Sequence, residues 1–358
     1  CATVGGNAAT DSNSNFIGTT DNISLYIRAN NQPAGKIDIM RNNTFWRMQA
    51  GANTATDFCT AIGSHALHNN TTGVFSTALG ATALFSNTTG NQNTATGVDA
   101  MFNNTTGSFN IAYGNGALYS NSTGTRNTAI GYEALVSNTT ASGNVAVGYQ
   151  TLYSNTTGTG NTAMGFQAMP RNTTGNRNTA VGDQTLGFNA TGQQNTAIGF
   201  QSMINATTGA NNTAVGHLSL NKNTTASANT AIGNEALFTN RISDSSTAVG
   251  AGALFSNTAD RNTAIGAGAL FTNTIGTENV AVGVGVLHAN SFGALNTAVG
   301  LYAMKDNIGG SFNTAIGNSG LLSNANGNKN SAFGIKAMLK NTSGSFNVAL
   351  GELSLGNN

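Results

Sequence analysis

The chain is short of charge, proline, cysteine and long apolar runs, and each shortage removes a class of protein. Only 8% of its 358 residues are Asp, Glu, Lys or Arg, and 14 basic against 13 acidic residues leave a formal charge of +1. A balance this close to zero provides no electrostatic footprint for nucleic acid, an anionic membrane or a polyanionic substrate. Two prolines beside 46 glycines exclude collagen and polyproline rods. Two cysteines are too few for a disulfide scaffold, and no apolar run approaches the ~18 residues of a membrane helix. With 39% apolar residues the chain is also too hydrophobic for a disordered linker. It begins at Cys1, with no charged or apolar leader ahead, and so reads as processed or truncated.

What the chain does contain is a repeat. Aligned on Ala-x-Gly, marker glycines fall at Gly63, Gly80, Gly97 and every 17 residues to Gly250, then at Gly266 and every 17 residues to Gly351. The single 16-residue step falls in a turn, where "FSNTADRN" replaces the longer "FSNTTGNQN". One unit reads Asn-Thr-Ala-Ile-Gly-x-x-Ala-Leu-x-x-Asn-Thr-Thr-Gly-x-x. Ala stands two residues before every marker, an apolar residue usually one before it, and Leu or Met four after it. So short a unit cannot bury a core alone, whereas stacked copies bury a continuous one. The expected fold is all-β, a parallel β-solenoid of about eighteen 17-residue coils spanning 59–358, with a short helical turn allowed at one corner. The segment 1–58 lies outside the register and is expected to be a strand-rich cap or docking segment. In it "SLYIRAN" and "GKIDIM" flank "NQPAG", which reads as a hairpin with a Pro-Gly loop, and "TFWRM" reads as a third strand.

Column by column, the expected core is Ile130, Leu135, Val147, Leu152, Ile198, Met203, Ile232 and Leu237. If Ile130 enters the coil, strand alternation sends Ala129 the other way, so the Ala column should meet a close neighbour, either another segment of the coil or another subunit. Asn127, Asn144, Asn161, Asn178 and Asn195 fall in register and should bond to one another as a ladder. The Asn-Thr-Thr-Gly segments are turn chemistry.

The Asn-Thr-Ala-Ile-Gly core with its downstream Asn-Thr-Thr-Gly resembles the repeats of bacterial and phage tail-fibre-like proteins. It is also similar to the Asn-Ser-Val-Ala-Ile-Gly repeat of trimeric autotransporter adhesin heads. The resemblance implies a secreted or surface-displayed β-solenoid, often trimeric, that serves as fibre, stalk or adhesive head.

No catalytic constellation stands out, and the chain is not expected to be an enzyme or to need a cofactor or metal. His65 and His68 stand three apart without Cys or carboxylate partners, acidic residues are scattered singly, and the glycine-rich stretches lack a phosphate-loop lysine. The reading is therefore a structural subunit of an extracellular fibre or filament whose partner is itself, through head-to-tail or lateral contact. Alternatives are an adhesin head or tail-fibre module that binds a surface glycan or protein, and, from the Thr column, an ice-binding solenoid. Assembly is expected to involve Cys1, Cys59, Trp46, Ala349, Leu350 and Leu355. For Cys1 the readings are a lipid anchor, a disulfide with Cys59, or a free thiol. The last coil keeps the consensus almost to residue 358, so its edge is expected to be covered by segment 1–58 of another copy.

Overall fold

The computed structural model describes residues 23–357. Among them every regular element is a strand, and all 21 strands belong to one sheet. Eighteen three-residue strands, from β4 (Thr60–Ile62) to β21 (Val348–Leu350), stack one per coil as the parallel β-solenoid that the repeat predicts. The ladder never slips: each column faces itself from coil to coil, for example Thr196 with Thr213 and Ala197 with Ala214. The short coil keeps this register too, Thr247 pairing with Thr263. Its deletion is absorbed in the turn, where Asn257 Nδ2 reaches the carbonyl of Ala259 two residues on instead of three as elsewhere, Asn138 to Ala141 for example.

Each coil closes through backbone that favours neither helix nor strand. Gly131 has φ 134°, and a Cβ there would stand 2.3 Å from the carbonyl oxygen of Gly148 in the next coil. Only glycine allows coils to stack this closely, which explains the marker column. Beyond it Glu133 and Leu135 are left-handed (φ 51° and 53°), as is Arg126 in the turn before the strand (φ 57°). Such conformations cost about 1–2 kcal/mol per residue. They are offset by coil-to-coil hydrogen bonds, Leu135 N–H to Thr151 O at 3.0 Å and Glu133 N–H to Asn115 O at 2.9 Å.

The strand faces the opposite way from the sequence-based expectation. Ala129, Ala146, Ala197 and Ala231 are fully buried, whereas Ile130, Ile198 and Ile232 are 39–40% exposed and Val147 is half-buried. These four leave the predicted core; Leu135, Leu152, Met203 and Leu237 stay in it with no exposed surface. The reason is volume. Most coils already enclose a Leu or Met, a second small residue and two asparagines, and the remaining space admits a methyl group but not the sec-butyl chain of isoleucine.

At the N-terminal end the solenoid starts earlier than the repeat does. β3 (Asn43–Trp46) pairs in parallel register with β4, Phe45 opposite Ala61, so residues 43–58 form one further coil. Phe45 stands in the Ala column and is buried, while Gly51 stands in the Leu column; a Cβ on Gly51 would lie 2.5 Å from the Phe45 ring. One aromatic ring thus fills the space of the missing Leu. The outer edge of β3 is closed by antiparallel β2 (Gln32–Asp38), which pairs with β1 (Leu25–Ala29). The hairpin turn is Asn30-Asn31, both with positive φ (48° and 56°), not the Pro-Gly loop the sequence suggested. Two consecutive left-handed residues suit asparagine, and Pro33 sits inside β2 opposite Arg28, beside a register irregularity where no N–H is required.

Candidate functional surface

Two asparagine ladders hold the coils in register from inside. In the first, Asn144, Asn161, Asn178 and Asn195 each donate a backbone N–H to the Oδ1 of the asparagine one coil earlier, at 2.9–3.0 Å. All are fully buried with Asn127. The second ladder, along the Asn-Thr-Thr-Gly turns, runs amide to amide: Asn138 Nδ2 donates to Asn121 Oδ1 at 2.8 Å. The two meet on one acceptor, since the carbonyl of Ala141 takes Nδ2 of Asn127 at 2.8 Å and of Asn138 at 3.1 Å. The turn motif signals this column, but reading it as turn chemistry alone missed its burial.

With these groups committed to the interior, function falls to the outside. The strand presents two outward columns, Thr and Ile/Val, along the whole rod. None of the residues in either column from Thr60 to Leu350 is charged. Next to them, one residue past the marker, Tyr132, Tyr149 and Phe166 stack with centroids 5.4 Å apart. A further column stacks His68, Phe85, Phe102 and Tyr119 at 5.0–5.3 Å. These rings spend their faces on one another and turn their edges outward. The face-on stacking that sugars use is therefore free only at the ends of each run.

His68 belongs to that aromatic stack, and His65 Nδ1 lies 2.9 Å from Ser64 Oγ. Among the described residues no group of three or more His, Cys, Asp or Glu is arranged to hold a metal ion, and no helix is long and apolar enough to cross a membrane. The indentations are shallow. One, of about 330 Å³, opens where Pro170 and Gly187 interrupt the aromatic column, between Gln167, Gln184 and Arg171.

The residues expected to mediate assembly are scattered. Cys59 is fully buried, its thiol 3.6 Å from the carbonyls of Asp57 and Gly73, and burial pushes its pKa up. A buried protonated thiol is a poor partner for any disulfide. Cys1 lies outside the described residues. Ala349 is buried like the rest of its column, whereas Trp46, Leu350 and Leu355 are exposed, Leu350 by 80%. Trp46 stands at the N-terminal end of the Ile column, opposite Ile62. Comparison with known protein families and with curated proteins finds no match for this chain.

Proposed function

We propose that this chain is a structural subunit of an extracellular fibre or filament, built from β-solenoids that associate through their outer surfaces. One observation carries the reading: the stack runs without a slip from β3 to β21, every coil hydrogen-bonded to the next. At about 4.8 Å per coil that is a rod roughly 85 Å long. Buried amide ladders resist bending and sliding, which suits a load-bearing or spacing element better than a machine with moving parts. The resemblance to surface fibres and adhesin heads supports an extracellular location. Among the described residues β1 and β21 each pair with one strand only, so end-to-end contact would set β21 of one copy against β1 of another.

The experiment is negative-stain electron microscopy of the purified chain over a concentration series. Uniform filaments with an axial repeat near the rod length support the proposal; discrete rods at every concentration refute it. A second reading, a binding module, draws on the varied residues that follow the markers, such as Tyr149, Asp183 and His217, displayed on a rigid frame. Binding to a glycan array by isolated rods would favour it.

A further inference from the structure

We propose that the outward Thr and Ile/Val columns form a self-association face that packs, sheet on sheet, against the same face of a second copy of this chain. This names the surface behind lateral contact in the filament reading and rests on that reading only for its biological purpose. It also replaces the Ala column, which is inside the coil.

Four properties of the face point to this occupant. First, its side chains are apolar or hydroxyl-bearing: Ile130, Met164, Ile198, Ile232, Ile265 and Ile316 are each 39–44% exposed despite neighbours above and below. Second, the face is uncharged over its length, so a second copy meets no like-charge repulsion. Third, most residues are β-branched, with restricted χ1 freedom, so burying them costs less side-chain entropy than burying long flexible chains. Fourth, the area is sufficient. Eighteen strands at ~4.8 Å give a length of about 80 Å, and two columns about 7 Å apart give a width of about 10 Å, hence about 800 Å² per copy. That is the contribution of one partner to a standard stable interface.

Identical repeats make the face self-complementary, because side chains of one ladder fit between those of another at every coil. A two-fold pairing of like with like follows, as in most homodimers. The most uniform stretch runs from Thr162 to Ile316, where the columns contain only Thr, Val, Ile and Met. The Thr column taken alone would suit an ordered water lattice such as ice. Half the face, however, carries no hydroxyl, and an apolar half is better satisfied by another sheet than by water.

The test uses the full chain in sedimentation velocity and equilibrium. The triple variant Ile198→Lys, Val215→Lys, Ile232→Lys places three charges on each copy in the middle of the face. The control, Thr191→Lys, Thr208→Lys, Thr225→Lys, places the same charges on exposed turn positions of the same coils. We expect the native chain to pair, the face variant to pair about 100-fold more weakly or worse, and the control to pair normally, with unchanged circular dichroism in all three. A native chain that stays monomeric at sub-millimolar concentration overturns the proposal, as does a face variant that pairs as well as the control. So does a monomeric chain with ice-shaping activity that the face variant loses. Microscopy of the same samples separates the two readings. Filaments one rod wide with no pairing refute the face and keep the filament, whereas pairs without filaments keep the face and refute the filament.

Discussion

Ala206 breaks the second asparagine ladder, and repairing it should stabilise the protein. Asn189 donates to Asn172 Oδ1 at 2.8 Å and to the carbonyl of Gly192 at 3.1 Å, but its own Oδ1 is buried without a partner. In every neighbouring coil back to Asn87 that oxygen accepts Nδ2 of the next asparagine, for example Asn155 Oδ1 from Asn172 at 2.7 Å. An unmet buried acceptor costs about 1–3 kcal/mol. Ala206→Asn supplies the missing donor and a second hydrogen bond to the carbonyl of Gly209, which now accepts only Nδ2 of Asn195. Room exists: the coil has kept Gly209, whose equivalents Gly107 and Gly192 have their own coil's asparagine Oδ1 2.3–2.4 Å from the Cβ site. After up to about 1 kcal/mol for ordering the new side chain, the expected gain is about 1–2 kcal/mol. Two further variants bracket the reasoning. Asn138→Ala orphans Asn121 Oδ1 and strips Asn155 of one acceptor, costing about 2–4 kcal/mol. Asn189→Ala orphans Asn172 Oδ1 but also removes an oxygen that was already unsatisfied, so it should cost about 1–3 kcal/mol less. Because repeats unfold locally as well as globally, urea denaturation should be paired with amide exchange over residues 172–223. A neutral or destabilising Ala206→Asn, together with equal costs for Asn138→Ala and Asn189→Ala, would refute the ladder argument.

Deleting one whole unit, Asn195 to Asn211, should leave a folded rod one coil shorter, whereas deleting half of it should collapse the circular dichroism signal; equal damage would count against nearest-neighbour stacking. Ala197→Leu should destabilise by about 3 kcal/mol or more, measured by denaturant, because the added chain points into a filled coil. His288 ends the Phe238–Phe255–Phe271 stack, and burial, with Lys305 nearby, lowers its pKa. The unfolded chain therefore binds the proton more readily, and stability present at neutral pH should fall as pH drops through the ordinary histidine range. His288→Phe should abolish that share of the pH dependence of melting. Cys59 should resist alkylation in the folded chain and react promptly in denaturant, since it is buried and its thiol pKa is raised; comparable labelling rates in both states would show that the coil opens around it.

The period, the parallel stack, the buried Leu column and the first Asn ladder were all legible in the sequence, because a 17-residue repeat forces every copy of a column into one environment. What the sequence left undecided was direction. A three-residue strand alternates, so Ala-inward with Ile-outward and the reverse are equally periodic, and hydrophobicity alone favoured the wrong one. The tertiary structure decided it by volume: once Leu135 and the two asparagine ladders occupy the coil, only the methyl of Ala129 fits, and Ile130 is left on the surface. The left-handed backbone at Leu135 was equally illegible, because no local preference of leucine calls for it and only the hydrogen bond to the next coil sustains it. The same holds at the N-terminal end, where Phe45 and Gly51 exchange sizes across two columns; each looks like a departure from the repeat, and together they preserve its packed volume.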